Sequence, residues 1–294
     1  MKWRTKYTQL CLMLLVSAAV SGQTTLHILT KTIRKEVPSK LIKELVINSE
    51  RADIEIEAWE KEDISIEVKL SSKHPDRARA QRELAAMHFL NQKIGKAYYL
   101  RNYLLIQNGS EKPESNFTAS YKIRVPARLA LSINNTFGEV KVIGVKSNLK
   151  LKLEFCQLLL TDCQSVINLI SYFGSNVVAD LMYPLILDTD HSESIIKAHK
   201  GSLEAKVANG SLVYDYIPGT QTIKIEAKEA NLTVNAEDIR KSTAAIKSSN
   251  SNWEIPKNNS SFHWKESEEH KNLWENKGTG QLIINLDSGS LTIQ

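Results

Sequence analysis

The chain of 294 residues, with 42% hydrophobic and 24% charged residues, has the composition of a globular protein and fits one large all-β domain or two smaller ones. Its formal net charge is +5, and three basic residues fall within the first six positions (Lys2, Arg4, Lys6). Without that leader, 35 basic residues face 33 acidic ones, a balance that excludes an electrostatic nucleic-acid binder.

The first elements are not part of the fold. A basic "MKWRTK" leads into the apolar run "LCLMLLVSAAV" and then "SGQT", the layout of a signal peptide with a small-residue cleavage site. We place the cut after Gly22. The run is shorter than the ~20 residues of a membrane span. Cys11 lies inside the apolar run, so no lipid anchor is expected. An exported protein that remains in the periplasm, reaches the cell surface or is secreted follows. The mature chain keeps Cys156 and Cys163, too few for a disulfide framework.

From Leu41 onward apolar residues fall at every second position. Ile54 and Ile56, then Ile64, Ile66, Val68 and Leu70, alternate with Glu55, Glu67 and Lys69, which is the pattern of half-buried strands. One stretch breaks the style. From Pro75 to about residue 92 the chain is rich in Ala, Arg, Glu, Gln and Leu. It predicts one helix, capped by Ser72, followed by Gly95, with Ala78, Leu84, Met87 and Ile94 toward the sheet. Its arginines Arg77, Arg79 and Arg82 read as a solvated face. Strands resume at "KAYYLRNYLLIQ". Asn108 to Asn116 reads as a surface loop, and Pro126 marks a strand end or an edge.

Beyond residue 134 the chain repeats. Phe137, Phe155 and Phe173 recur at an interval of eighteen, as do Gly138, Cys156, Gly174, Ser192 and Gly210. A second series, Val145, Cys163 and Leu181, is apolar, and the turn residues Gly144, Asp162 and Asp180 precede it. A fixed period with about two short strands is the mark of a solenoid. Expected, then, is an all-β parallel β-helix of eight or nine turns, ~40 Å long. Residues 23–133 would form an N-terminal strand-rich cap with the one helix, and 134–294 the repeats. Equivalent phenylalanines would stack as a ladder, and the small residue after each would let the chain bend. A β-sandwich of many short strands explains the alternation equally well, but not the interval.

The opening "ADIEIEAWEKEDISIEVKLSSKHPDRARAQRELAAMHFLNQKIGKAYYLRN", the block "YKIRVPARLALSINNTFGEVKV", then "SYFGSNVV" and a closing G-x-L-x-I strand carry a resemblance. Together they resemble a family of exported bacterial adhesin-like domains of unknown function, found mostly in Bacteroidetes and similar to the autotransporter-adhesin head family. The resemblance runs from about Lys40 to Gln294. It implies a β-helical fold and an envelope or secreted location, and supplies no catalytic residues. The chain departs from the family pattern at Cys156, where Gly is commoner, and in a longer polar insertion before Gly280.

Several constellations could carry chemistry. "DTDHSE" gathers Asp188, Asp190, His191 and Glu193, the best metal candidate, yet the equivalent places in neighbouring turns, 152–154 and 170–172, supply only one acid, Glu154. A polar turn is the simpler reading. Cys156 and Cys163 lie at different corners of a turn and read as unpaired core residues. Trp264 and Trp274, in a polar segment from Ser260 to Gly280, could contact a ligand or fold back on the rod. No cofactor is expected, and no phosphate loop, zinc-spaced Cys/His set or nucleophile elbow is present. The leading expectation is a non-enzymatic adhesin-like binding or structural module, its partner a glycan or an envelope or surface protein. The alternatives are a β-helical carbohydrate-active enzyme, which needs converging acids, and an accessory or sensor subunit of an envelope-stress system.

Overall fold

The computed structural model describes residues 25–106, 112–217, 219, 221–236, 242–254, 263–266, 270–274 and 280–294. The expected leader, and part of the loop expected from Asn108 to Asn116, lie outside the described residues. The fold is all-β. Its first strands are β1 (His27–Pro38), β2 (Glu44–Glu50), β3 (Ala52–Trp59) and β4 (Asp63–His74). Helix α1 (Arg77–Ala85) follows, then β5 (Met87–Ile94), β6 (Ala97–Leu104) and β7 (Asn116–Pro126). The repeating part runs through β8 (Ala130–Ile143), β9 (Leu149–Thr161), β10 (Ile167–Tyr172), β11 (Ser175–Ala179), β12 (Leu185–Asp190), β13 (Glu193–Lys197), β14 (Leu203–Ala208) and β15 (Ser211–Tyr216). The chain closes with β16 (Thr222–Ala236), β17 (Ser242–Glu254), β18 (His263–Glu266), β19 (His270–Trp274) and β20 (Gly280–Ile293).

The interval of eighteen is a register offset. Leu149 pairs with Ile167, and Ile167 with Leu185, in parallel ladders. Gln157 likewise pairs with Ser175, and Ser175 with Glu193, in a second parallel ladder. Long strands contribute one half to each ladder: in β8 and β9, 131–136 pairs with 149–154 and 138–143 with 156–161. Because β9 and β16 pass through both ladders, β9, β10, β12, β14, β16, β15, β13 and β11 close a ring of eight parallel strands. The strands that an antiparallel sandwich would pair therefore run in the same direction. Parallel in-register pairing places equivalent side chains one above another. The column Ile133, Leu151, Leu169, Leu187, Ala205, Ile225, Ile284 and Ile246 is buried at every level, and the inward columns of both ladders meet in one core. Each such aliphatic side chain contributes roughly 1.5–3 kcal/mol by burial.

One edge of the ladders turns at residues with left-handed backbone: Arg51, Phe137, Phe155, Phe173, His191, Asn209, Glu229, Ser288 and Asn250, with φ between 49° and 65°. The expectation that the small residue bends the chain is thereby corrected: the residue before it does so at every level, and the small residue shares the bend only at Gly138 (φ 124°) and Gly289 (φ 128°). The small residues have another role. In spatial order they are Ala52, Gly138, Cys156, Gly174, Ser192, Gly210, Ala230, Gly289 and Ser251, with glycine at every second level. A Cβ on Gly138 would overlap the carbonyl oxygen of Ala52. The same holds for Gly174 and Cys156, Gly210 and Ser192, and Gly289 and Ala230. The intervening residues use the space. Cys156 donates its thiol to the Asn135 carbonyl at 3.4 Å, and Ser192 its hydroxyl to the Ser171 carbonyl at 3.1 Å. Cys156 thus belongs to a two-level alternation, and does not stand in for a glycine.

The structure differs from the expectations elsewhere too. The helix covers Arg77–Ala85 only. Asp76, not Ser72, caps it by accepting from the N–H groups of Ala78 and Arg79. Residues 87–94, helical by composition, form β5 because Gly95 (φ 60°) turns the chain into an antiparallel hairpin with β6. Of the residues expected to face the sheet, Met87 is buried and Leu84 packs on the core, while Ala78 and Ile94 are exposed. The Ser260–Gly280 segment carries β18 and β19 as an antiparallel hairpin on β17. Finally, the last levels are out of chain order: β20 lies between β16 and β17 and pairs parallel with both.

The alternation makes a stability prediction. Gly210→Ala forces a Cβ into the Ser192 carbonyl and lowers stability by roughly 1–3 kcal/mol. Ser192→Ala, one level away, loses only hydrogen bonds, about 1 kcal/mol. Urea midpoints of the two variants measure this, and a larger loss for Ser192→Ala contradicts it.

Candidate functional site: a ring column and a charged groove

Left-handed backbone costs a residue with a Cβ on the order of 1–3 kcal/mol, and glycine, asparagine and aspartate bear it best. Asn209 and Asn250 follow that preference; three phenylalanines do not. Phe137, Phe155 and Phe173 are 42%, 43% and 48% exposed, so core packing does not hold them there. Their rings stack with centroids 5.0 Å apart and planes within 13° of parallel. His191, one of the four metal candidates of "DTDHSE", continues the column at 4.8 Å from Phe173. Such contacts return ~0.5–1.5 kcal/mol per pair, enough to offset the backbone strain at its lower end. The column therefore brings no net gain in stability, and it presents a strip of four rings to solvent. The aromatic interval at 137, 155 and 173 made the three phenylalanines legible in the sequence; the ring at 191 was missed because histidine broke the pattern.

The four residues weighed for a metal are spread over both ladders. Asp188 and Asp190 share the outward side of β12, His191 stands at the corner, and Glu193 opens the other ladder on β13. The neighbours of Asp188 in register are Ile170 and Lys206, those of Asp190 are Tyr172 and Ala208, and those of Glu193 are Ser175 and Ser211. Among the described residues, no group of three or more His, Cys, Asp or Glu is placed to hold a metal ion. Asp190 is bound into the surface instead. It accepts from the Asn209 amide at 2.8 Å and meets His191 Nδ1 at 2.8 Å, and these contacts, Asn209 first, hold its carboxyl below the usual range.

Beside the column, a groove of about 800 Å³ crosses the outward face of the first ladder between β10 and β17, lined by Tyr172, Asp190, Lys206, Lys228, Lys247 and Asp287 among others. Along it acids and bases alternate: Lys206 stands between Asp188 and Glu226, and Lys224 binds Glu226 at 2.6 Å. No two of its acids are register neighbours. The groove is a mixed-charge surface suited to contact. Trp264 and Trp274 lie on β18 and β19 at the far end of this ladder, and their side chains are outside the described residues.

The two cysteines are free and buried. Burial raises both thiols, Cys163 to about 11, so neither is a poised nucleophile. His199 follows Val145, Cys163 and Leu181 in the buried column at the opposite corner. Its Nε2 donates to the Tyr183 carbonyl at 3.0 Å, and its ring meets Tyr214 edge-on. Gly201 makes room for it, since a Cβ there would press on His199 and on the Tyr183 carbonyl. Burial pushes the His199 pKa below its ordinary 6.5.

Two outcomes are expected. With residues 23–294, Ellman's reagent finds no reactive thiol in the native protein and two in denaturant; fast native labelling contradicts the burial. The unfolded chain takes up the His199 proton near pH 6.5 while the folded chain resists it, so stability falls as pH drops below 6.5. In His199→Leu that part of the acid-side slope is absent from urea midpoints between pH 7 and 5, and an unchanged slope contradicts the assignment.

Neither a family model nor a curated protein matches the chain. Solved structures do. A "putative adhesin" from Bacteroides fragilis is 10% identical, with 90% of this chain and 97% of that chain covered, at a TM-score of 0.50. That likeness concerns the fold alone. A "putative adhesin" from Parabacteroides merdae (10% identity, 91% and 96% covered, TM-score 0.36) and a "putative cell adhesion protein" from Clostridium sporogenes (12%, 90% and 99%, TM-score 0.26) superpose too loosely to carry an argument.

Proposed function

We propose that the protein is an exported, non-enzymatic module of the cell envelope that binds a glycan or an envelope protein in the manner of an adhesin. On this reading the chain is a β-solenoid. Residues 23–133 cap it, with β2 and β3 as its first level, and 134–294 form its repeats. The leader at 1–22 delivers it across the inner membrane. Among the described residues no helix is long and apolar enough to span a membrane.

The observation that carries the proposal is the ring column. Three exposed phenylalanines occupy left-handed corners where asparagine is accommodated a few levels away, so the rings answer to something other than stability. The fold shared with the Bacteroides fragilis structure, itself named a "putative adhesin", supports the same reading.

The test is a glycan array with the mature chain, residues 23–294, combined with analysis of any released product. Saturable retention without turnover is expected. Replacing Phe137, Phe155 and Phe173 together by Asn should shift the melting temperature by a few degrees at most while retention falls at least tenfold, about 1.4 kcal/mol. Released product, or a large loss of stability with retention unchanged, sinks the proposal.

A further inference from the structure

The ring column has a foot. Phe137 is its lowest ring, and the place beneath it in register belongs to Arg51, whose backbone N–H donates to the Thr136 carbonyl at 2.7 Å. Phe137 and Arg51 border a pocket of about 310 Å³, lined also by Asp53, Asn116, Phe117 and Thr118, with Gly138 contributing no side chain to fill it.

Its chemistry is two-sided. Phe137 and the nearly buried Phe117 form an apolar wall. The rest of the lining is exposed and polar, from two neighbouring strands: Arg51, just before β3, and Asp53 within it, and Asn116 and Thr118 at the start of β7. The Glu139 N–H donates to Asp53 Oδ1 at 3.0 Å and fixes that carboxylate. Oδ2 has no protein donor among the described residues and stays available to accept.

We propose that this pocket binds a single pyranose ring, its C–H face on Phe137 and two neighbouring hydroxyls on Asp53 and Arg51. A pyranose has this two-sided character, one apolar face and a rim of donors and acceptors. The volume stands at the lower end of the range for small-molecule sites. It is too small for an extended peptide. The assignment rests on the binding-module reading above and gives it a ligand class and a site.

The test is a saturation-transfer and amide-shift NMR titration of residues 23–294 with the methyl pyranosides of glucose, galactose, mannose and N-acetylglucosamine. Phe137→Asn removes the platform and keeps a residue that the same corner accepts at Asn209; Asp53→Asn keeps the acceptor for Glu139 and removes the charge. Met182→Asn, at an exposed residue near the opposite corner and outside both the column and the pocket, is the control. At least one glycoside is expected to bind with a millimolar Kd, with affinity at least tenfold weaker in Phe137→Asn and Asp53→Asn and unchanged in Met182→Asn. Binding that survives Phe137→Asn overturns the site; if the array still retains glycans, the module reading stands without it. If no glycoside binds and the array retains nothing, both fall.

Discussion

Parallel, in-register hydrogen bonding between equivalent residues is the constraint on which everything else in this structure depends. A parallel ladder places residue i directly beside its counterpart one level on, about 4.8 Å away. Any property of one level, a bend, an inward methyl or a ring, is thereby repeated along a column. An offset of eighteen residues held from β8 to β15 turns a chain pattern into surface and core columns. The aliphatic columns close the core. The corner column does something different, because its side chains point to water.

At that corner, two neighbouring positions divide the work. The left-handed residue makes the turn, and the residue after it manages the crowding inside. Cys156, Ser192 and Ala230 each sit between two levels that carry glycine, and Ala52 and Ser251 each flank one, so along this series side chains occupy the interior of the corner at every second level. Freed from packing, the left-handed residue varies among Arg, Phe, His, Asn, Glu and Ser. A run of phenylalanines at such a position is strained in backbone, and ring stacking at best offsets that strain. Stability alone therefore does not account for the rings.

The repeat was legible in the sequence because ladders stack like on like: Phe137, Phe155 and Phe173 showed the ring column, and Val145, Cys163 and Leu181 the buried one. What escaped has identifiable causes. β1 is an edge strand exposed along most of its length, so no inward alternation marks it. β5 has the composition of a helix, and its pairing with β6 overrides that propensity. The insertion of β20 between β16 and β17 is a pairing across a long excursion, which no local pattern encodes. For the site, the rings were visible and the pocket at their foot was not. Arg51, Asp53 and Asn116 come together only because β3 and β7, far apart in sequence, lie side by side. The acids of "DTDHSE" looked like a cluster in one dimension, and the turn at His191 divides them between two ladders.

The most direct test of the account is a double-mutant cycle on Phe155 and Phe173, each replaced by Asn, with stability read from urea unfolding. A stacked column on strained corners predicts single substitutions within about 1 kcal/mol of wild type, since lost stacking and relieved strain offset each other, and a coupling of ~0.5–1.5 kcal/mol between the two. No coupling, or a loss of several kcal/mol from either substitution alone, would contradict it.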